Sequence, residues 1–284
     1  MIRLIDARNI FNQDKINSTI FATIAIMVAL VFTSEVKASH LAGGTIRYDY
    51  VGPTPGSTSL WRYKITVSMA RDCRGISLTC GSTPHVFYAT CTTSGSTIGP
   101  VSLTPVPYVP KPGERSNPRG AKDVSDLCSS VQSRCQGNNQ ALSGYELYFH
   151  EATIDLPRCN SWRITYQTCT NARNAVTNFT GGYNVALETF INTGWSPRAK
   201  PSGAPANSAP KFANDKPFPS ACVGQDVNYS IGAHDDEGDS LVYETTCPWA
   251  TGSSTGTPNL VPMTPRNGAT CAVPIPGLTM DSQT

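Results

Sequence analysis

The sequence predicts an all-β, disulfide-containing chain preceded by a short apolar helix, and three observations carry that expectation. Apolar side chains recur at every second position: Trp61, Tyr63, Ile65, Val67 and Met69 alternate with Arg62, Lys64, Thr66 and Ser68, the period of a strand with one buried and one wet face. Ser and Thr make up about a fifth of the chain and, with 23 Gly and 22 Pro, favour strands and turns over helices. All ten cysteines follow a segment laid out like a secretory signal peptide, which places them in an oxidising compartment.

That leader occupies residues 1–38. Arg3, Arg8 and Lys15 precede an uncharged apolar run, residues 20–32 (IFATIAIMVALVF), and Val36-Lys37-Ala38 supplies the small residues of a cleavage site. The run is shorter than the roughly 20 residues a membrane-spanning helix needs, so the processed chain is expected not to be transmembrane and to begin at Ser39.

The expected strands follow in order. In residues 44–51, Ile46, Tyr48 and Tyr50 alternate with Thr45, Arg47 and Asp49; residues 60–69 come next. Residues 101–120 carry five prolines without a period and read as a long surface loop. Val124, Leu127, Cys128 and Val131 have helical spacing over one short stretch. Tyr145, Leu147 and Phe149 share a face, and the apolar set then moves to Ala152, Ile154 and Leu156, which predicts a bulge near His150-Glu151. Trp162, Ile164 and Tyr166 alternate, as do Tyr183, Val185 and Leu187, then Val227, Tyr229 and Ile231, with Leu241 and Tyr243 after them in a strand at 240–245. Residues 196–210 (SPRAKPSGAPANSAP) hold almost no large apolar side chain and read as a linker between a β-sandwich domain at 39–195 and a second piece at 211–284.

Charge excludes one class of function. With 22 Lys+Arg against 20 Asp+Glu and no basic run, the chain has no electrostatic footprint for nucleic acid. The cysteines include no C-x-x-C, so disulfides are expected rather than zinc. Closeness in sequence favours Cys128–Cys135 and Cys80–Cys91; Cys73 and Cys169 flank strand segments and would bridge them, and Cys222–Cys247 would tie the second piece. Spacing alone leaves the connectivity open, Cys159 and Cys271 included.

Several segments resemble one family. Ser39-His40-Leu41-Ala42-Gly43-Gly44-Thr45-Ile46 resembles the S-H-x-x-G-G-x-I opening of large surface proteins of Bacteroidota, many of which end in a gliding-motility-associated or type IX secretion sorting domain. Residues 63–73 (YKITVSMARDC) are similar to that family's Y-x-I-x-L-x-x-Y-R-D-C, with Ala70 in place of the aromatic. Trp162-Arg163-Ile164-Thr165-Tyr166, Cys169 and residues 173–178 (RNAVTN) resemble W-x-I-x-Y-x-x-C and R-N-x-I-T-N, with Thr170-Asn171-Ala172 inserted between them. Residues 208–212 (SAPKF), Cys222 and residues 233–243 (AHDDEGDSLVY) resemble the S-P-x-F, C and A-x-D-P-D-G-D-S-L-x-Y of cadherin- or Ig-like repeats. The resemblance implies an incomplete cadherin/Ig-like β-sandwich after the first domain, a chain that is the N-terminal fragment of a longer protein, and an exported, extracellular, cell-surface adhesive or structural role. The alternative expectation is a carbohydrate-binding module of a polysaccharide-degrading system.

Acidic residues gather at Asp235, Glu237 and Asp239, spaced i, i+2, i+4 around Gly238, and hard carboxylate oxygens at that spacing suit Ca²⁺. In cadherin-like repeats the inter-domain linker adds ligands, and Asn207 is the candidate here. The competing expectation is a solvated acidic turn. Trp61 and Trp162 lie in alternating strands and are expected in the core, while Trp195 and Trp249, beside prolines, are candidate ligand-stacking aromatics for a surface polysaccharide or protein partner. Catalytic patterns fail: residues 252–256 (GSSTG) match G-x-S-x-G but run into Thr257-Pro258, and His150-Glu151 is followed by Ile154 where a zinc H-E-x-x-H needs its second histidine. No enzyme activity and no organic cofactor are expected.

Overall fold

Residues 41–72 turn alternation into pairing. In the computed structural model, which describes residues 41–75, 78, 85–128, 130–137, 142, 144–167, 179–180, 184, 186–193, 207–212, 226, 228–230, 232–251 and 258–273, strand β1 (Leu41–Pro53) runs antiparallel to β2 (Leu60–Asp72). β2 then pairs along its whole length with β7 (Tyr145–Pro157). Two short strands, β5 (Thr104–Val106) and β6 (Lys122–Asp123), complete a five-stranded sheet on the far side of β7. The second sheet has four strands in the order β10 (Ala186–Ile191), β8 (Trp162–Gln167), β3 (Val86–Cys91), β4 (Thr97–Ser102).

The core fills the space between these sheets. From β2 come Tyr63, Ile65, Val67 and Met69; from β7, Ile154 and Leu156; from β3 and β8, Phe87, Ala89, Trp162, Ile164 and Tyr166. Each fully buried Ile, Leu or Phe contributes about 1.5–3 kcal/mol. Trp162 is core, and Trp61 packs against it half-buried. Both flanks close. Leu103, between β4 and β5, carries the chain from one sheet to the other and is itself buried. On the opposite flank β1 approaches β10 so closely that a Cβ at Gly44 would stand 3.1 Å from Leu187 Cδ1, as well as 2.9 Å from the Ser68 carbonyl of its sheet neighbour β2.

β7 corrects the expected bulge. Its register with β2 runs unbroken from Tyr145↔Asp72 to Leu60↔Pro157, so the shift of apolar residues is a change of covering and not of backbone. Residues 152, 154 and 156 face the four-stranded sheet, whereas Leu147, with Tyr145 and Phe149, lies on the outer face and packs with Ala70 and Val124 under the segment that follows β5. Two further expectations need correction there. The helix over 124–131 does not form: Val124 donates its backbone N–H to the Tyr145 carbonyl at 2.9 Å as an extension of β6, while Val131 is exposed, and among the described residues the only helical turn is a 3-10 turn at Arg134–Gln136. The 101–120 loop contains β5, whose Pro105 is tolerated because the strand lies at the sheet edge.

Two buried carboxylates hold the long segment 107–144 to the sheet. Glu146, fully buried on β7, accepts from Asn117 Nδ2 (2.6 Å) and the Tyr148 hydroxyl (2.9 Å), with Arg71 Nη1 at 3.1 Å and Arg119 Nη1 at 3.0 Å. Asp123 accepts from the Ser133 hydroxyl (2.6 Å) and Arg115 Nε (3.2 Å). Burial alone would push the Asp123 carboxyl up, but hydrogen bonds from Ser125 and Ser133, with Arg115 beside them, hold it below the usual carboxylate range.

The disulfides replace the pairings expected from closeness in sequence. Cys73 bonds Cys135, pinning the 3-10 turn to the end of β2; Cys91 bonds Cys159, joining the end of β3 to the β7–β8 turn; and Cys247 bonds Cys271. Cys135 is therefore not Cys128's partner, Cys91 not Cys80's, Cys73 not Cys169's and Cys247 not Cys222's. Cys128 is a free, exposed thiol. Sequence proximity fails because the fold brings strand ends against segments that lie 62 and 68 residues away. Cys80, Cys169 and Cys222 lie outside the described residues, as do the leader, Trp195 and residues 196–206.

Among the described residues, the C-terminal part holds three two-stranded pairs: β11 (Lys211–Phe212) with β12 (Ala233–His234), β13 (Trp249–Thr251) with β14 (Leu260–Pro262), and β15 (Thr264–Pro265) with β9 (Phe179–Thr180). Residues 240–247 keep an alternating exposure but form no strand ladder among the described residues, contrary to the strand expected at 240–245. Phe179 joins Cys247, Ala250, Met263 and Ala269 in a second small core, and residues 38–284 cluster as one compact unit.

Candidate functional site

β1 is an edge strand, and its outer edge is where the later part of the chain docks. The Tyr48 carbonyl accepts from the Ala209 N–H at 2.7 Å, and the Tyr50 N–H donates to Ser208 Oγ at 3.2 Å. Ala209 is buried against the main core. These bonds set Asn207 at the rim of the sheet, beside Tyr48.

The second wall is the turn after β12. Asp235 Oδ1 accepts from the backbone N–H groups of both Glu237 and Asp239, each at 3.0 Å, and the Gly238 N–H donates to the Asp235 carbonyl at 3.2 Å. Gly238 has φ +83°, a left-handed conformation that suits glycine. Lys211 on β11 pairs with Asp236 and lies 3.9 Å from Asp49 on β1; His234 Nε2 stands 3.5 Å from Asp236. The Tyr243 hydroxyl accepts from the Ala233 N–H at 2.8 Å and holds the base of the turn.

The electrostatics converge on one phenol. Burial, reinforced by the Asp235 and Glu237 carboxylates and more weakly by Asp239, pushes Tyr48 up to about 12, with Asn207 acting in the opposite direction. Asp235, Glu237, Asp239 and Asn207 thus act on the same hydroxyl, although residues 207 and 235 are far apart in sequence. Three polar atoms in these segments are buried without a hydrogen-bond partner: Glu237 Oε2, Tyr50 Oη and Arg47 Nε.

An orphaned carboxylate oxygen among hard oxygen donors fits a divalent cation such as Ca²⁺. The carboxylates are not gathered into a closed cage: their oxygens do not all lie within 4.8 Å of one another. Asp235 Oδ1 is engaged by the backbone, which leaves its other oxygen for a ligand role.

Among the other expected site residues, Trp249 lies half-buried on β13, paired with Pro262. His150-Glu151 sits mid-strand in β7 and not on a helix. Residues 252–256 lie outside the described residues. Sequence reading missed Tyr48 as the centre of the site, although the alternation of residues 44–51 had already placed it on the inward face. Among the described residues no helix is long and apolar enough to cross a membrane. No protein-family model matches the chain, and neither a curated protein nor a solved structure matches it.

Proposed function

We propose that the chain is an exported, cell-surface structural and adhesive protein, the N-terminal part of a much larger gliding- or adhesion-associated protein, and that it works by binding and not by catalysis. The observation that supports this reading best is the junction around Tyr48, where the segment at 207–212 and the acidic turn at 235–239 dock on an edge of a disulfide-tied sandwich. In this reading Ca²⁺ is held by Asp235, Glu237 and Asp239 with Asn207. It supplies charge neutralisation at a crowded acidic turn and stiffens the docking of the two segments, so that exposed loops are presented on a rigid stalk.

The test is a melting curve of the full chain with millimolar Ca²⁺ and with chelator, beside the Asp235→Asn/Asp239→Asn variant. Ca²⁺ at 100 times its Kd should stabilise the protein by about 2.7 kcal/mol and leave the variant unmoved. No Ca²⁺-dependent shift would leave the acidic residues as a turn held by its own backbone bonds. Surface biotinylation of intact cells should label the protein; exclusive recovery from the cell interior would overturn the surface assignment.

One feature favours the second reading, a carbohydrate-binding module. The outer face of the four-stranded sheet carries Phe190, 49% exposed, in register with Arg163, Thr90 and Thr97, and beside it a row of Glu188, Thr165 and Tyr88. Gln167 Oε1 on the same face is buried without a partner. Apolar ring faces among hydrogen-bonding side chains suit a polysaccharide. A glycan array separates the readings: a discrete oligosaccharide ligand lost on Phe190→Ala supports the module, and binding to protein or whole-cell surfaces alone supports the adhesin.

A further inference from the structure

The contact between the two sheets contains one set of polar side chains whose state depends on pH. His150 projects from β7 on the inward face, opposite Val67 of β2 and Pro105 of β5. His85, at the entry to β3 in the other sheet, meets it with ring centroids 4.3 Å apart. Behind them the Tyr166 hydroxyl of β8 lies 2.7 Å from His85 Nδ1 and donates to Met69 Sδ on β2 at 3.0 Å. His85, Tyr166, Met69 and His150 therefore form a bridge with two members from each sheet. His150 is 6% exposed, and its Nδ1 is buried without a hydrogen-bond partner.

We infer that the His85–His150 pair is an acid-operated fastener between the sheets: with both imidazoles neutral the sheets close on it, and protonation parts them at this end of the sandwich. The physical reason is that a second proton on the His150 ring meets no compensating charge among the described residues. Val67, Pro105 and Met69 around His150 carry no charge. Tyr166 is buried and its phenol is pushed up by that burial, so it stays neutral. Along the same face of β7 the next titratable groups are Tyr148 and Glu146, and Glu146 is already committed to Arg71 and Arg119. Glu151 faces the other side of the strand, with Thr66 and Lys64. Among the described residues no carboxylate bears on His150; burial, then the neighbouring His85, lowers His150 to about 4, and burial lowers His85 against a hydrogen bond to the Leu78 backbone.

The direction follows from linkage. A histidine at about 4 in the folded chain and at 6.5 when unfolded binds more protons unfolded throughout that window, so stability is full above pH 7 and is lost as pH falls toward 4. For His150 alone the unfolding equilibrium constant should rise about 30-fold between pH 7.5 and pH 5.0. The carboxylates contribute little at pH 5.0, because their unfolded values lie near 4.

The experiment is urea unfolding of the oxidised full chain at pH 7.5 and 5.0, for the native sequence and for His150→Phe. The expected result is a rise of about 30-fold or more in the unfolding constant of the native chain at pH 5.0 and a rise of only a few-fold in the variant. NMR titration of the histidine ring protons keeps the inference testable if the variant does not fold: the His150 ring should stay neutral in the folded chain at pH 5.0. An ordinary titration of His150 near 6.5, or unfolding constants within a few-fold of each other at the two pH values, would overturn it.

Discussion

Glu146 offers the sharpest test of how the long segment after β5 is held. Its carboxylate is fully buried and meets four donors, Arg71, Arg119, Asn117 and Tyr148, at 2.6–3.1 Å. The Arg71 side chain is 4% exposed, so replacing Glu146 by Leu strands a guanidinium inside the protein. Arg71 keeps its bonds to the carbonyls of Asp72 (3.1 Å) and Gly75 (3.0 Å), which satisfy some of its N–H groups but not its charge. Breaking a buried pair on one side costs about 3–5 kcal/mol. For a chain of this size that lowers Tm by roughly 6–20 °C. The bidentate Arg62–Asp155 pair is the internal control: at 2.8 and 2.9 Å it is equally well formed, but its side chains are 36% and 31% exposed, and Arg62→Ala should cost far less than Glu146→Leu. Adding Arg71→Met to Glu146→Leu should recover much of the loss, because the buried charge then disappears. Thermal unfolding by circular dichroism at pH 7 reads all four proteins. A Glu146→Leu loss no larger than that of Arg62→Ala would refute the view that this network anchors the segment.

Two further outcomes follow from close approaches in the sandwich. Gly44→Ala should destabilise by about 1–3 kcal/mol, since the new Cβ meets the Ser68 carbonyl and Leu187, whereas Gly43→Ala, with nothing within 4 Å of its Cβ, should be neutral or slightly stabilising; paired urea midpoints check the contrast. Removing the Cys91–Cys159 bond by a double Ala substitution opens a 68-residue separation and should cost about 4 kcal/mol, while Cys128→Ser, at a free thiol, should leave the midpoint unchanged.

Strand positions were legible because a two-residue period is a local signal: residues 60–69 and 162–166 needed no knowledge of their neighbours to declare a buried face. The errors arise where a second covering layer enters. The apolar shift in 145–156 reads as a bulge if only one face of the strand is buried, but β7 is covered on its outer face at one end and on its inner face at the other. The helical spacing of Val124, Leu127, Cys128 and Val131 is too short to overrule the ladder contact with Tyr145. Disulfide pairing was illegible for a related reason: Cys73 and Cys135 meet because Glu146 and Asp123 fold the intervening segment back onto the sheet, a contact invisible in sequence distance.

The candidate site was legible residue by residue but not as a place. Acidic spacing singled out Asp235, Glu237 and Asp239, and alternation turned Tyr48 inward; neither signal says that the two meet. What joins them is the Ser208 hydroxyl and the Ala209 N–H bonding to the free edge of β1, which brings Asn207 beside Tyr48. An edge strand has unpaired backbone groups that some segment must satisfy. Here the segment that satisfies them also delivers the acidic turn, because β11 follows directly and pairs with β12 ahead of Asp235. The same bonds that cap the edge therefore place carboxylates against a buried phenol, and a cation that relieves that crowding would tighten the cap as well.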